Sequence, residues 1–154
     1  MAGTVLLPAA AQAQTTDPCS GTAPNAIACE NSKPGTPQSV WDVFRHGDDE
    51  LQGFATSMSV NKGSSISFKI DTVAPGYRID IYRLGYYQGN GARLIASNLG
   101  HAAPQRQPAC LTDSSTGLID CGNWAASATW NVPSTAVSGV YFAKLTRSDR
   151  NDGS

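Results

Sequence analysis

Short runs of alternating apolar and polar residues follow one another after residue 50, and such alternation is typical of β-strands that bury one face. In the run Tyr77–Leu84 the first apolar positions are Tyr77, Ile79 and Ile81. The alternation changes at Tyr82, because Arg83 stands where the next apolar residue is due. A β-bulge adds one residue to a strand and accounts for such a change. The run predicts a strand with one buried face, one face in water and a bulge near Tyr82.

Glycine-rich sequence after this run predicts a tight reversal of the chain. Gly85, Gly89, Asn90 and Gly91 are residues that accept positive φ angles at low cost. The chain is expected to return as a second strand at Arg93–Ser97. Because this loop joins two strands, it does not have the strand-to-helix context of a phosphate-binding loop.

Further segments complete a predicted all-β fold. Strands are expected at Ala26–Ala28, Phe54–Val60, Ser65–Asp71, Ser127–Val132 and Gly139–Arg147. Val40–Phe44 fits a short strand or one helical turn, and residues 98–125 are expected to form a long loop. About seven short strands with turn residues roughly every 8–12 positions indicate an immunoglobulin- or fibronectin-III-like β-sandwich. A polar turn follows Arg147, so the last strand of this sandwich is expected to be missing.

Charge and length exclude several classes of partner. The chain of 154 residues has 11 basic and 12 acidic side chains and a net charge of −1. It lacks the basic stripe that nucleic-acid-binding proteins present. No apolar run reaches the roughly 20 residues that span a bilayer. We therefore expect one domain that binds no nucleic acid and does not cross a membrane.

The first residues resemble the end of a secretory signal peptide. Val5–Ala13 combines an apolar run with an Ala-x-Ala cleavage pattern at Ala11–Ala13. An ordinary alanine-rich terminus is the alternative reading, because no basic residue precedes Lys33. Residues 1–13 are thus interpreted as a signal-peptide remnant, and the protein is expected to be secreted, periplasmic or extracellular.

Four cysteines support export. Cys19 and Cys29 form one local pair and Cys110 and Cys121 another. Four cysteines allow three connectivities, and local pairing is the favoured one. Zinc sites use closer pairs and often histidine. The expected domains are the signal-peptide remnant, a disulfide-pinned lead-in at residues 14–37 and the truncated sandwich at residues 38–154.

Acidic residues and histidines give weak indications of a site. The carboxylates in His46–Glu50 or in Asp149–Gly153 offer oxygen ligands for calcium, but their spacing favours a solvated loop and a turn. With His46 and His101 as the two histidines, a serine triad has no support. We expect no catalytic residue, no metal ligand and no cofactor in this chain.

Three aromatic residues are the remaining candidates for a binding site. Tyr86, Tyr87 and Trp124 could stack on sugar rings, as in carbohydrate-binding modules. Packing, or contact with another domain, is the favoured alternative, because tyrosine and tryptophan suit surfaces that are buried at one end and wet at the other.

Several segments together resemble the N,N-dimethylformamidase large (beta) subunit-like family. They are Glu30–Gly35, Gln52–Val60, Ser65–Ile70, Tyr77–Arg93, Trp130–Pro133 and Ser138–Tyr141. The resemblance implies the N-terminal β-sandwich portion of a longer exported protein, ahead of a much larger α/β domain. In that family the amidase activity and the mononuclear iron site lie in the larger domain, so no residue of this chain is assigned to the iron.

The expected function is therefore that of an accessory domain. The chain itself is expected not to be an enzyme, whereas the parent protein would be an iron-dependent amidohydrolase. Its expected partner is the downstream domain of the same chain. A carbohydrate-binding module and an autonomous amide hydrolase are the two alternatives.

Overall fold

The computed structural model describes residues 17–22, 24–43, 47–100 and 105–149. These contain the helices α1 (Ala26–Asn31) and α2 (Gln38–Trp41) and a 3₁₀ turn at Tyr87–Gly89. The strands are β1 (Leu51–Ala55), β2 (Ser65–Thr72), β3 (Tyr77–Leu84), β4 (Ala92–Ala96), β5 (Leu111–Asp113), β6 (Leu118–Asp120), β7 (Ala128–Asn131) and β8 (Tyr141–Arg147). The predicted signal-peptide remnant and both histidines lie outside the described residues.

The strands form two antiparallel sheets that pack face to face. The first sheet has the order β1-β2-β7 and the second the order β4-β3-β8. Phe68, Ile70 and Trp130 from the first sheet meet Ile79 and Ile81 from the second in one apolar core. This arrangement confirms the predicted all-β sandwich. Within the described part of the chain, no helix is long and apolar enough to cross a membrane.

A tyrosine at the start of β8 identifies the type of sandwich. The Tyr141 hydroxyl donates a hydrogen bond of 2.6 Å to the carbonyl oxygen of Val137. The Tyr141 ring lies 5.7 Å from that of Trp130, and burial raises the pKa of the phenol. A tyrosine that bonds back to the chain a few residues upstream marks strand F of immunoglobulin-like domains. β8 therefore corresponds to strand F.

The lead-in is helical where a strand was predicted. Ala26–Ala28 belongs to α1 because the Asn25 side chain accepts hydrogen bonds from the backbone N–H groups of Ile27 and Ala28, at 3.1 and 3.0 Å. Such a cap satisfies donors that would otherwise be unpaired at the helix start. The strand prediction was therefore wrong. Of the ambiguous segment Val40–Phe44, Val40 and Trp41 belong to the short helix α2, Asp42 has an extended backbone, and Phe44 lies outside the described residues.

Both disulfides have the predicted local pairing. Cys19 is bonded to Cys29, and Cys110 to Cys121. The second disulfide closes the hairpin β5–β6, which lies inside the segment predicted as an unbroken loop. Three residues per strand are too few for alternation to be recognised, so this hairpin escaped prediction.

The outer face of the second sheet was predicted to lie in water, which holds at Arg78 but not at Asp80 and Tyr82, where it is covered. Asp80 and Tyr82 on this face are 5% and 2% exposed. Trp41 packs edge-on against Phe142, which stacks on Tyr82 at 5.4 Å. Lys144 Nζ donates to two backbone carbonyls of the α2 segment at 2.9 and 3.1 Å, and burial lowers the pKa of its ammonium. The α2 segment thus lies across this face.

We predict that Tyr141→Phe destabilises the sandwich. The change keeps the ring but leaves the Val137 carbonyl without its donor, and a hydrogen bond of this kind contributes about 1 kcal/mol. Urea unfolding followed by tryptophan fluorescence measures the loss. Tyr86→Phe is the matched control, because Tyr86 is 70% exposed. Equal unfolding midpoints for the two variants would contradict the role given to Tyr141.

Candidate functional site

Arg83 points into the interior of the sandwich. β3 pairs without interruption with β8, from Tyr77 opposite Arg147 to Arg83 opposite Tyr141. Because directly opposed residues share a face, Arg83 lies on the same face as Tyr141, which packs against the core. The side chains of β3 therefore keep their alternation, and Arg83 occupies an inward position where an apolar residue was expected.

The predicted bulge exists, but it lies on the neighbouring strand. Ile81 pairs with Ala96 whereas Tyr82 pairs with Leu94, so Ile95 of β4 is the extra residue. The sequence signal at Arg83 was read as a change of phase within β3. Arg83 is instead a buried arginine in an unbroken strand, so the predicted change of phase in β3 is wrong.

The Arg83 guanidinium is 2% exposed and is bound by neutral acceptors. Nη1 donates to Asn31 Oδ1 and to the Tyr87 hydroxyl, each at 2.8 Å, and more weakly to the Leu84 carbonyl at 3.4 Å. Nη2 donates to the Ser138 carbonyl at 2.7 Å. Nε is buried and has no hydrogen-bond partner among the described residues. Four segments of the chain thus meet at one side chain.

A carboxylate extends this cluster. Glu30 accepts a hydrogen bond from the Tyr87 hydroxyl at 3.2 Å, from Lys33 Nζ at 2.6 Å and from Arg93 Nε at 2.8 Å. Arg93 also contacts the same carboxylate oxygen through Nη2. Glu30 is 3% exposed, whereas the Lys33 and Arg93 side chains reach solvent. We call these residues, with Asn31, Arg83 and the Ser138 carbonyl, the Arg83 network.

The pKa shifts describe a structural ion pair. Burial alone would raise the pKa of Glu30, but the hydrogen bonds from Lys33 and Arg93 outweigh it and lower the pKa below its usual 4.5. Burial would likewise lower the pKa of Arg93, and its bonds to Glu30 raise it. Both groups are thus fixed in their charged forms. A general acid or base instead needs a pKa near the working pH.

Segments that carry the family resemblance come together at this network. Glu30–Gly35 supplies the carboxylate, Tyr77–Arg93 supplies the two arginines, and Ser138–Tyr141 supplies the carbonyl acceptor. Their glycines permit the approach. A Cβ atom on Gly139 would lie 2.6 Å from Arg83 Nε, and one on Gly35 would lie 2.8 Å from the Tyr87 Cβ atom. The shared motifs therefore build a contact between distant segments.

At the tip of the β3–β4 hairpin, more residues have positive φ angles than the glycine positions predict. Gly89 and Gly91 have positive φ, as expected, but so do Tyr87 at +40° and Gln88 at +58°. Positive φ is uncommon for residues that are not glycine. Asn90, which was expected to have positive φ, has φ −75°. The two hydroxyl bonds of Tyr87 hold its side chain in the network in this conformation.

The three aromatic candidates do not form one platform. Tyr86 is 70% exposed, whereas Tyr87 is completely buried within the Arg83 network. Trp124 packs against Phe54 of the first sheet at 5.7 Å and donates from Nε1 to the Pro108 carbonyl at 2.9 Å. The tyrosines instead follow β3 of the second sheet. Burial removes Tyr87 from any exposed sugar-stacking surface.

The acidic segments considered for calcium meet at a second buried arginine. Arg147 Nη1 binds Glu50 at 2.6 Å and Asp48 at 3.3 Å, and Nη2 binds Asp149 at 2.9 Å. These hydrogen bonds, that of Asp149 first, raise the pKa of Arg147. In the described ranges no three His, Cys, Asp or Glu side chains are grouped to hold a metal ion. The position of Arg147 at the end of an alternating run was the sequence signal for this cluster.

The comparisons with known proteins give one family. A family model described as N,N-dimethylformamidase beta subunit-like, C-terminal, matches residues 78–154. No curated protein and no solved structure matches the chain. The matched family agrees with the resemblance in the sequence. Its description places the segment in the C-terminal part, however, whereas the resemblance implied an N-terminal portion.

We predict that Glu30→Gln destabilises the fold by about 3 kcal/mol at pH 7. The low end of the range for a broken buried ion pair applies, because Lys33 and Arg93 reach solvent. Since the pKa of Glu30 is lowered on folding, its stabilisation is present above the unfolded pKa near 4.5 and is lost as the pH falls through the folded pKa. The difference between variant and wild type should shrink below about pH 4.5.

Urea unfolding at a series of pH values measures this difference. Asp49→Asn is the matched control, because it removes one carboxylate from an exposed position. A Glu30→Gln variant as stable as Asp49→Asn at pH 7 would argue against a stabilising role for the ion pair. A difference that does not change between pH 7 and pH 3 would argue against the direction of the pKa shift.

Proposed function

Because this chain belongs to the N,N-dimethylformamidase beta subunit-like family, we propose that it is a non-catalytic β-sandwich domain of an exported protein. In this proposal it packs against a downstream α/β catalytic-like domain and positions it. The observation that carries the proposal is the closure of the Arg83 network. Segments that resemble the family join α1, the β3–β4 hairpin and β8 through buried hydrogen bonds.

The state of the charged side chains supports a non-catalytic role. Arg83, Glu30, Lys144 and Arg147 are buried or held in contacts within the fold. A catalytic base or nucleophile must instead reach a substrate and change its protonation state. In this fold the same groups fix loops and strands.

An exposed apolar surface supports contact with a further domain. Leu111, Leu118 and Ile119 on the hairpin β5–β6 are 59%, 62% and 67% exposed. The Cys110–Cys121 disulfide holds this hairpin in shape. By the register of the hairpin, Leu111 and Leu118 lie on one face and Ile119 on the other. Exposed apolar groups on a rigid hairpin suit burial against another domain. We assign this hairpin as the contact with the catalytic-like domain.

Export is supported by the cysteine chemistry. All four cysteines are paired in two disulfides. Disulfides persist in oxidising compartments and are rare in the cytosol. This agrees with the signal-peptide pattern at Val5–Ala13, which lies outside the described residues.

We predict that the purified 154-residue chain does not hydrolyse simple amides. Release of dimethylamine from N,N-dimethylformamide is measured with and without added ferrous iron. The reason is that its buried ionisable groups are already bonded to one another. A heat-unfolded sample of the same preparation gives the background. Iron-dependent release above that background, proportional to protein concentration, would overturn the non-catalytic assignment.

The same purified chain is used to test the carbohydrate-binding alternative. Tyr86 keeps an exposed ring and Trp124 a half-buried one. Binding to a panel of insoluble polysaccharides, lost in Tyr86→Ala or Trp124→Ala, would favour this alternative. If the domain serves only as a contact for its neighbour, none of the polysaccharides should bind it.

A further inference from the structure

A deep groove opens between the two sheets beside β1 and β8. Its volume is about 1120 Å³, and its lining includes the core residues Ile70, Ile81 and Trp130. Met58 and Val140 also line it, and their side chains are 107% and 64% exposed. On this side the inward-facing residues Tyr141, Ala143 and Leu145 of β8 are only half-buried. Protein interiors are normally packed without voids of this size.

The same groove runs along an unpaired strand edge. β8 pairs with β3 on one side, and no strand within the described ranges pairs with its other side. The groove lining includes Tyr141, Phe142, Ala143 and Leu145 of β8. An unpaired edge presents backbone N–H and C=O groups that can bind another strand. The apolar lining of the groove and the polar edge of β8 together can bind one β-strand.

The position of β8 in the fold indicates which strand of an immunoglobulin-type sandwich would pair with its free edge. Its tyrosine corner and its pairing with β3 make β8 equivalent to strand F, with β3 equivalent to strand C. In immunoglobulin-type sandwiches strand F lies between strand C and strand G. Strand G follows F in the chain and runs antiparallel to it.

We propose that the groove binds a β-strand of the same polypeptide that follows Arg147 and returns antiparallel along the free edge of β8. The lining portion of β8, Tyr141–Leu145, is matched by a strand of about five residues, or roughly 17 Å. Alternate apolar side chains of this strand cover the half-buried Ala143 and Leu145 of β8. The inference does not rest on the proposed function, because the strand completes the sandwich whatever the neighbouring domain does.

Turn chemistry at the end of β8 supports a reversal at this point. Arg147 binds the Asp149 carboxylate with two hydrogen bonds of 2.9 Å, from Nε and from Nη2. Ser148 binds the Gly76 carbonyl through both its backbone N–H and its hydroxyl, each at 2.9 Å. The chain therefore stays beside β3 as far as Ser148, and it bends at Ser148 and Asp149, directly after β8.

Site-specific photo-crosslinking tests the occupant. The photoreactive amino acid p-benzoylphenylalanine replaces Val140 in the protein expressed from its complete reading frame, and the products are mapped by mass spectrometry. The proposal expects a crosslink within the same molecule to a segment less than about 25 residues beyond Arg147, the reach of a hairpin loop and one strand. Ser39 of α2, which is exposed and lies outside the groove lining, is the control position.

Each other result overturns the proposal. A crosslink between two molecules would assign the groove to a second copy of the chain. A crosslink to residues before Asp17 or to a distant part of the chain would name another occupant. A yield no higher than that at Ser39 would leave the groove open to solvent.

Hydrogen exchange on the unsubstituted protein provides an independent readout should the Val140 substitution prevent folding. In β8 the amides that face away from β3 should exchange at least tenfold more slowly in the complete protein than in the 154-residue chain. Equal rates in the two samples would overturn the proposal.

Discussion

The structure depends on the burial of one guanidinium at the end of a sandwich core. An arginine has five N–H donors and keeps its charge, so burial is tolerated only when nearby acceptors are held in place. Arg83 obtains these acceptors from α1, from the β3–β4 hairpin and from the segment before β8. These three segments are distant from one another in sequence. The requirement to bond Arg83 therefore determines where they lie.

This constraint explains why conspicuous polar motifs need not mark an active site. Glu30, Tyr87 and Arg93 have the residue types of a catalytic centre, yet their hydrogen bonds are made with one another and with Arg83. At the far end of β3 and β8, Arg147 likewise forms ion pairs with three carboxylates within the fold. Both ends of the core are thus closed by a buried arginine. Among the described residues, the side beside β1 and β8 has no such closure, and the inward-facing residues of β8 are only half-buried there.

Local patterns predicted most of the strands, because alternation and turn residues act within a few positions. Cysteine spacing likewise predicted both disulfides. Features set by distant contacts were not predictable: the cover over Asp80 and Tyr82 comes from α2, and the conformation of Tyr87 from α1 and β3. Arg83 was visible as an exception to the pattern. Its meaning required the pairing with β8, which no local rule supplies.

The most direct test of the Arg83 network is hydrogen exchange measured by mass spectrometry on Arg83→Met. Methionine keeps an unbranched side chain and removes every donor, so protection should fall both in α1 and at the start of β8. Arg78→Met is the control, because the Arg78 side chain is 52% exposed. Loss of protection in both distant segments, absent from the control, is the predicted result. A loss confined to the β3–β4 hairpin would contradict the claim that Arg83 joins them.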